Sequence, residues 1–86
     1  MHESSLLVGL IAKIEAIARE ENAARVTNVT VRLGALSNIS PGHFREHFEQ
    51  AVPGTIAEGA ALEVIAMEDL SDALAQEILL DSVEVE

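Results

Sequence analysis

Residues 25–54 read RVTNVTVRLGALSNISPGHFREHFEQAVPG, and a change of period inside them decides the fold. In the first half Val29, Val31 and Leu33 alternate with Asn28, Thr30 and Arg32, which predicts a strand with one buried face and one wet face. Gly34 ends that strand. In the second half Phe44, Phe48, Ala51 and Val52 gather on one side of a helix. Ser40 stands where an N-cap is needed, Pro41 takes the first helical position, and Pro53 with Gly54 terminates the segment.

Upstream, Leu6, Leu7, Leu10, Ile11, Ile14, Ile17 and Ala18 recur at helical spacing, with Ser4 or Ser5 to cap the start and Asn22 to stop it. Downstream, ALEVIAM (61–67) and ILLDSVEVE (78–86) read as two more strands. Asp81 shares the parity of Val83 and Val85, so the last strand should carry a bulge or start late. Between them, EDLSDALAQE (68–77) places Leu70, Ala73 and Leu74 on one stripe and predicts a short third helix or a turn of helix. The order α-β-α-β-(α)-β predicts an α/β fold of two layers, with two main helices on one face of a three-stranded sheet. Residues 1–86 form one domain in this reading, with Leu10, Ile14, Ile17, Val29, Val31, Phe44, Phe48 and Val64 in the core.

Composition narrows the function. The chain has 86 residues, a formal charge of −10 with only five Lys and Arg, two aromatic residues and no cysteine. Such a charge repels phosphate backbones and anionic lipid, and without Trp or Tyr there is little to stack on bases, so neither nucleic acid nor membrane is an expected partner. Lack of cysteine removes disulfides, thiolate catalysis and every Cys-based zinc site. The apolar run from Leu6 to Ala12 is too short to span a bilayer, and MHESS is acidic where a signal peptide is basic, so a cytoplasmic protein is expected. The Glu residues of the final VEVE charge an edge strand, which points to a monomer or weak dimer. No Ser-His-Asp order, phosphate loop or thiol suggests an enzyme.

MHE at the start, VRLGALSNISP in the first strand and its exit, FREHFEQ, GTIAEGAALEV and the closing SVEVE together resemble the HypA/HybF family of nickel metallochaperones that mature [NiFe]-hydrogenases. The resemblance covers almost the whole chain. It implies a nickel-binding domain with the metal at Met1, His2 and Glu3, and as partners a maturation GTPase and the hydrogenase large subunit. It also implies a zinc domain with two Cys-x-x-Cys pairs, inserted between the last two strands. That insertion is missing between about residues 67 and 78, and no zinc is expected.

Nickel suits this terminus. The α-amine of Met1, the backbone nitrogen of His2 and its imidazole make fused chelate rings around one cation, and Ni(II) favours tetragonal nitrogen and oxygen sets. The ligands must be deprotonated to bind. The Glu3 carboxylate offsets the positive end of the helix that follows. His2 is large, so removal of Met1 is not expected. His43 and His47 also have the i,i+4 spacing of metal ligands, with Glu46 and Glu49 near, but they border Phe44 and Phe48 and read as a solvated helix flank. Glu58, between Gly54 and Gly59, reads as part of a turn. A second class of function stands beside the nickel carrier: a metal-free adaptor of the same fold that docks on a maturation partner.

Overall fold

The computed structural model of the chain describes residues 3–86, with side chains placed from Leu7 onward. Five elements follow one another: α1 (Glu3–Glu20), β1 (Val26–Leu33), α2 (Pro41–Ala51), β2 (Ala61–Ala66) and β3 (Ile78–Val85). The sheet order is β2-β1-β3, with β1 parallel to β2 and antiparallel to β3. Joining parallel neighbours requires a crossover, and α2 supplies it. The two helices cover one face, α1 against β3 and α2 against β2, and they touch each other. This is the two-layer arrangement the periods predict.

Local chemistry explains the boundaries. Helix α1 begins at Glu3, so Ser4 and Ser5 lie within it and not at the position before it. Its far end is closed at Asn22, which adopts a left-handed φ of 53°. There the Ala23 amide donates to the Ala18 carbonyl (2.9 Å) and the Asn22 amide to that of Arg19 (3.1 Å). This pair of reversed bonds satisfies carbonyls that a helix end would leave open. At the start of α2 the Ser40 hydroxyl accepts from the His43 amide at 3.2 Å, with Pro41 next in line.

The core lies between the layers. Leu7, Leu10, Ile11, Ile14 and Ala18 come from α1, Val26, Val29, Val31 and Leu33 from β1, and Phe44, Phe48 and Val52 from α2 and its end, with Ala57 beside them. Two expected core positions differ. Ile17 is only half-buried, because the buried stripe of α1 passes through Ile14 and Ala18 and leaves Ile17 on its shoulder beside Leu79 and Leu80. Val64 is partly buried and packs against the core from edge strand β2. The bulge foreseen at Asp81 is present: Thr30 pairs with Ser82 and Val31 with Leu80, leaving Asp81 as the extra residue. A second shift at Thr27 lets both Val26 and Val29 face inward.

Residues 68–77 do not form the expected helix; they fold as successive turns. The cause is side-chain competition for backbone donors. Asp69 Oδ1 accepts from the Ser71 amide (2.9 Å) and hydroxyl (2.7 Å), and Asp72 Oδ1 from the Leu74 amide (2.7 Å). The Ser71 hydroxyl, and after it the Ser71 amide, hold the Asp69 carboxyl below its ordinary pKa. The connector is then pinned across the end of β1. Gly34 donates to Glu77 O (2.9 Å), Leu36 to Ala75 O (2.7 Å) and Met67 to Leu33 O (2.8 Å), and Ala75 is buried.

Candidate functional site

The residues named from the sequence as metal ligands are Met1, His2 and Glu3. Met1 and His2 lie outside the described residues, and so does the side chain of Glu3, whose backbone opens α1. Among the described residues no three His, Asp or Glu side chains gather as a metal-binding group. What the structure does describe is the frame behind that terminus and the work of the other motif residues.

Gly34, in the LGALS stretch, is architectural. A Cβ built there would collide with the Ala75 carbonyl and sit 2.8 Å from Leu74 O, so the connector approaches β1 closer than any side chain permits. The glycines of GTIAEGA serve conformation instead: Gly54 has φ +83° and Gly59 φ +80°. Glu58 clasps this turn, its Oε1 accepting from the Gly54 amide at 2.7 Å. Thr55 adds two bonds, donating its hydroxyl to Val52 O (2.7 Å) and accepting from the Ala57 amide (3.2 Å). The sequence assigned this segment to a turn, yet it did not reveal that the carboxylate itself closes it. An Asp or Glu four residues after a glycine that needs its amide satisfied was the available signal.

His43 and His47 lie side by side on α2, their ring centroids 4.6 Å apart at an interplanar angle of 61°. The neighbouring residues Phe44 and Phe48 are buried and stacked with centroids 6.1 Å apart, which sets the roll of the helix and leaves His43 exposed and His47 half-buried. Both histidines engage in further interactions of their own. On the open face of the sheet, Arg32 Nε lies 2.8 Å from Asp81 Oδ1, a charge contact whose angle falls short of a hydrogen bond. The extra residue of the bulge thus aims its carboxylate at the central strand. No helix among the described residues is long and apolar enough to cross a membrane.

Comparison with known proteins places this frame. The profile described as "Hydrogenase/urease nickel incorporation, metallochaperone, hypA" matches residues 1–71. The hydrogenase maturation factor HypA of Dechloromonas aromatica is 45% identical over 67 residues, which are 78% of this chain and 59% of that protein. The HypA of Bradyrhizobium sp. (strain ORS 278) is 43% identical over 65 residues, 76% of this chain and 58% of that protein. The chain therefore spans about three fifths of the length of the curated relatives it matches. The solution structure of the Ni metallochaperone HypA from Helicobacter pylori has the same fold, with a TM-score of 0.81 and 24% identity, covering 99% of this chain and 97% of that one. The family match takes in the strand exit at Gly34, the α2 cap and the Glu58 turn, and on it the chain belongs to the HypA family of hydrogenase/urease nickel-incorporation metallochaperones, carriers and not enzymes.

Proposed function

We propose that this chain carries Ni(II) for incorporation into a [NiFe]-hydrogenase, or a urease, and holds it at Met1, His2 and Glu3. The observation that carries the reading is the extent of the family match, which begins at residue 1 and so includes the MHE stretch. The chemistry agrees with it. An α-amine, an amide nitrogen and an imidazole from consecutive residues chelate one cation in fused rings, a nitrogen set that suits tetragonal Ni(II). The helix that opens at Glu3 is packed into the core through Leu7, Leu10, Ile11 and Ile14.

Delivery to a maturation GTPase and then to the hydrogenase large subunit belongs to the same proposal, as do a cytoplasmic location and a monomeric or weakly dimeric state. Glu84 adds a negative charge to edge strand β3, which discourages pairing with a second copy, whereas the Glu86 carboxylate is held by Arg25 at 2.8 Å. No structural zinc enters the reading. With no cysteine and three histidines, a closed four-ligand site would need carboxylates in unusual number.

Calorimetric titration with Ni(II) tests the site on four proteins: the chain with a free amine at Met1, the same chain extended before Met1, His2→Ala and Glu3→Gln. The free-amine chain should bind one nickel tightly, and Glu3→Gln should bind nearly as well because its backbone remains. The extension and His2→Ala should each remove that tight equivalent. Equal, weak binding by all four through scattered carboxylates would favour the second reading, a metal-free adaptor docking on a maturation partner. That reading draws on the absence of Cys-x-x-Cys pairs from the sequence.

A further inference from the structure

We propose that the connector, with the end of the sheet it crosses, docks a segment of a partner protein that is both apolar and basic. Five large apolar side chains are exposed among the described residues. Four of them gather here: Leu36 (42%), Ile65 (37%), Leu70 (66%) and Leu74 (48%). Scattered apolar residues are ordinary on a surface, whereas a group of them marks a contact region. Bonds and strand register tie this group together. The Leu36 amide donates to Ala75 O at 2.7 Å, which sets Leu36 beside the connector at Leu74. Leu74 lines one hollow with Met67, Leu79, Asp69 and Asp72. Ile65 and Leu79 pair with Arg32 from opposite sides, so the three form a row on the sheet face that the helices leave open.

The exposure is built in. Asp69 Oδ1 holds the Ser71 amide and Asp72 Oδ1 the Leu74 amide, so the turns that carry Leu70 and Leu74 are fixed by their own side chains. Ala75, and neither leucine, is the connector residue that goes inward. The leucines therefore meet a partner already in position, and little ordering opposes the contact.

Charge selects the partner. Residues 46–86 contain eleven Asp and Glu and not one Lys or Arg. Glu68, Asp69, Asp72 and Glu77 are exposed in the connector around the leucines. Arg32, the cation of the cross-strand row, already faces the Asp81 carboxylate at 2.8 Å. An apolar segment that carries Lys or Arg meets complementary charge, which speeds its approach and disfavours wrong partners. A second copy of this chain would bring the same negative rim, and an anionic lipid surface is repelled for the same reason. Nickel has no part in this docking and the assay contains none, so its failure is distinct from failure of the proposed metal site.

Fluorescence anisotropy measures binding of three synthetic peptides of equal length to the full chain: an amphipathic Leu/Lys peptide, an amphipathic Leu/Glu peptide, and a Lys/Ser peptide without leucine. The Leu/Lys peptide should bind, the Lys/Ser peptide at least tenfold more weakly, and the Leu/Glu peptide not at all. Leu70→Ser/Leu74→Ser should weaken the Leu/Lys peptide at least tenfold, and Leu70→Ser alone should weaken it in part. Both variants change exposed positions, and circular dichroism confirms that they fold. Val8→Ser, at the fifth exposed residue, on α1, should leave binding unchanged. Amide shifts on adding the Leu/Lys peptide should concentrate at Leu36, at 65–67 and at 70–79. The proposal is overturned if the Lys/Ser peptide binds as tightly as the Leu/Lys peptide, since charge alone then suffices. It is equally overturned if the double variant binds unchanged, or if the shifts centre on another surface. Shifts at the same residues that depend on protein concentration without peptide would assign the surface to a second copy and overturn it too.

Discussion

Replacing Gly34 by alanine should damage this protein more than its chemistry suggests. The new methyl would collide with the Ala75 carbonyl, a backbone group that cannot swing aside as a side-chain tip can. Relief requires lifting the connector off the end of β1. That movement strains or breaks the bonds Gly34 N to Glu77 O and Leu36 N to Ala75 O, each contributing about 1 kcal/mol. It also uncovers Ala75, which is 4% exposed. Against this stands a gain of about 0.4–1 kcal/mol from a less flexible unfolded chain. The net expectation is a loss of about 1–3 kcal/mol, the usual range for forced overpacking. In a domain whose whole stability is on the order of 5–15 kcal/mol, urea unfolding resolves such a change easily. Gly9→Ala is the control. Gly9 is exposed within α1 with nothing within 4 Å of a built Cβ, so alanine there should stabilise by up to about 1 kcal/mol. If Gly34→Ala proves neutral or stabilising, as Gly9→Ala should, the close approach of connector and strand is not what demands this glycine.

Phe48→Ala, emptying a side chain that is 1% exposed, should cost about 3–5 kcal/mol in chemical denaturation, and a loss under about 1 kcal/mol would mean that α2 faces another way. Glu58→Ala should cost about 0.5–1 kcal/mol by removing the clasp on the exposed Gly54 amide, with faster hydrogen exchange at that amide, while Glu58→Gln, which keeps an acceptor, should recover most of it. Asp69 should titrate below an ordinary aspartate by NMR, and Ser71→Ala should raise its pKa toward the usual value. Because the folded pKa is the lower one, whatever Asp69 adds to stability is complete above the ordinary carboxylate pKa and fades as pH falls through the depressed one.

The two periods in residues 25–54 made β1 and α2 legible, because each element is half-buried and so records its geometry in its own pattern. The bulge was legible for the same reason, since Asp81 broke the parity of its strand. The connector was not. Leu70, Ala73 and Leu74 imitate a helical stripe, but Leu70 and Leu74 stay exposed, and Asp69 and Asp72 divert the backbone into turns. Gly34 shows another limit, because its reason lies 41 residues away, at Ala75. Ile17 was misplaced because a helical stripe is wide enough for two phases, and only the packed partner selects one. Met1, His2 and Glu3 were named as ligands through a family pattern rather than through periodicity, and they lie outside the residues whose side chains the structure describes. His43 and His47 showed their spacing in the sequence, whereas their ring separation had to await the fold.

The strand order has a consequence for how the chain folds as it is made. The central strand β1 pairs with β2 through a nearby crossover, but with β3 only across most of the sequence, Val26 meeting Val85. Residues 26–66 can therefore collapse as a β-α-β unit while residues 78–85 are still being synthesised. During that interval α1 lacks its contact with β3 and can pack only against β1 and α2. Closing so long a loop is slow compared with local helix formation. The last strand acts as a timing element: until it arrives, the nascent chain exposes the unpaired edge of β1 and the flank of α1 that β3 later covers, the surfaces most apt to draw a chaperone or a second unfinished copy.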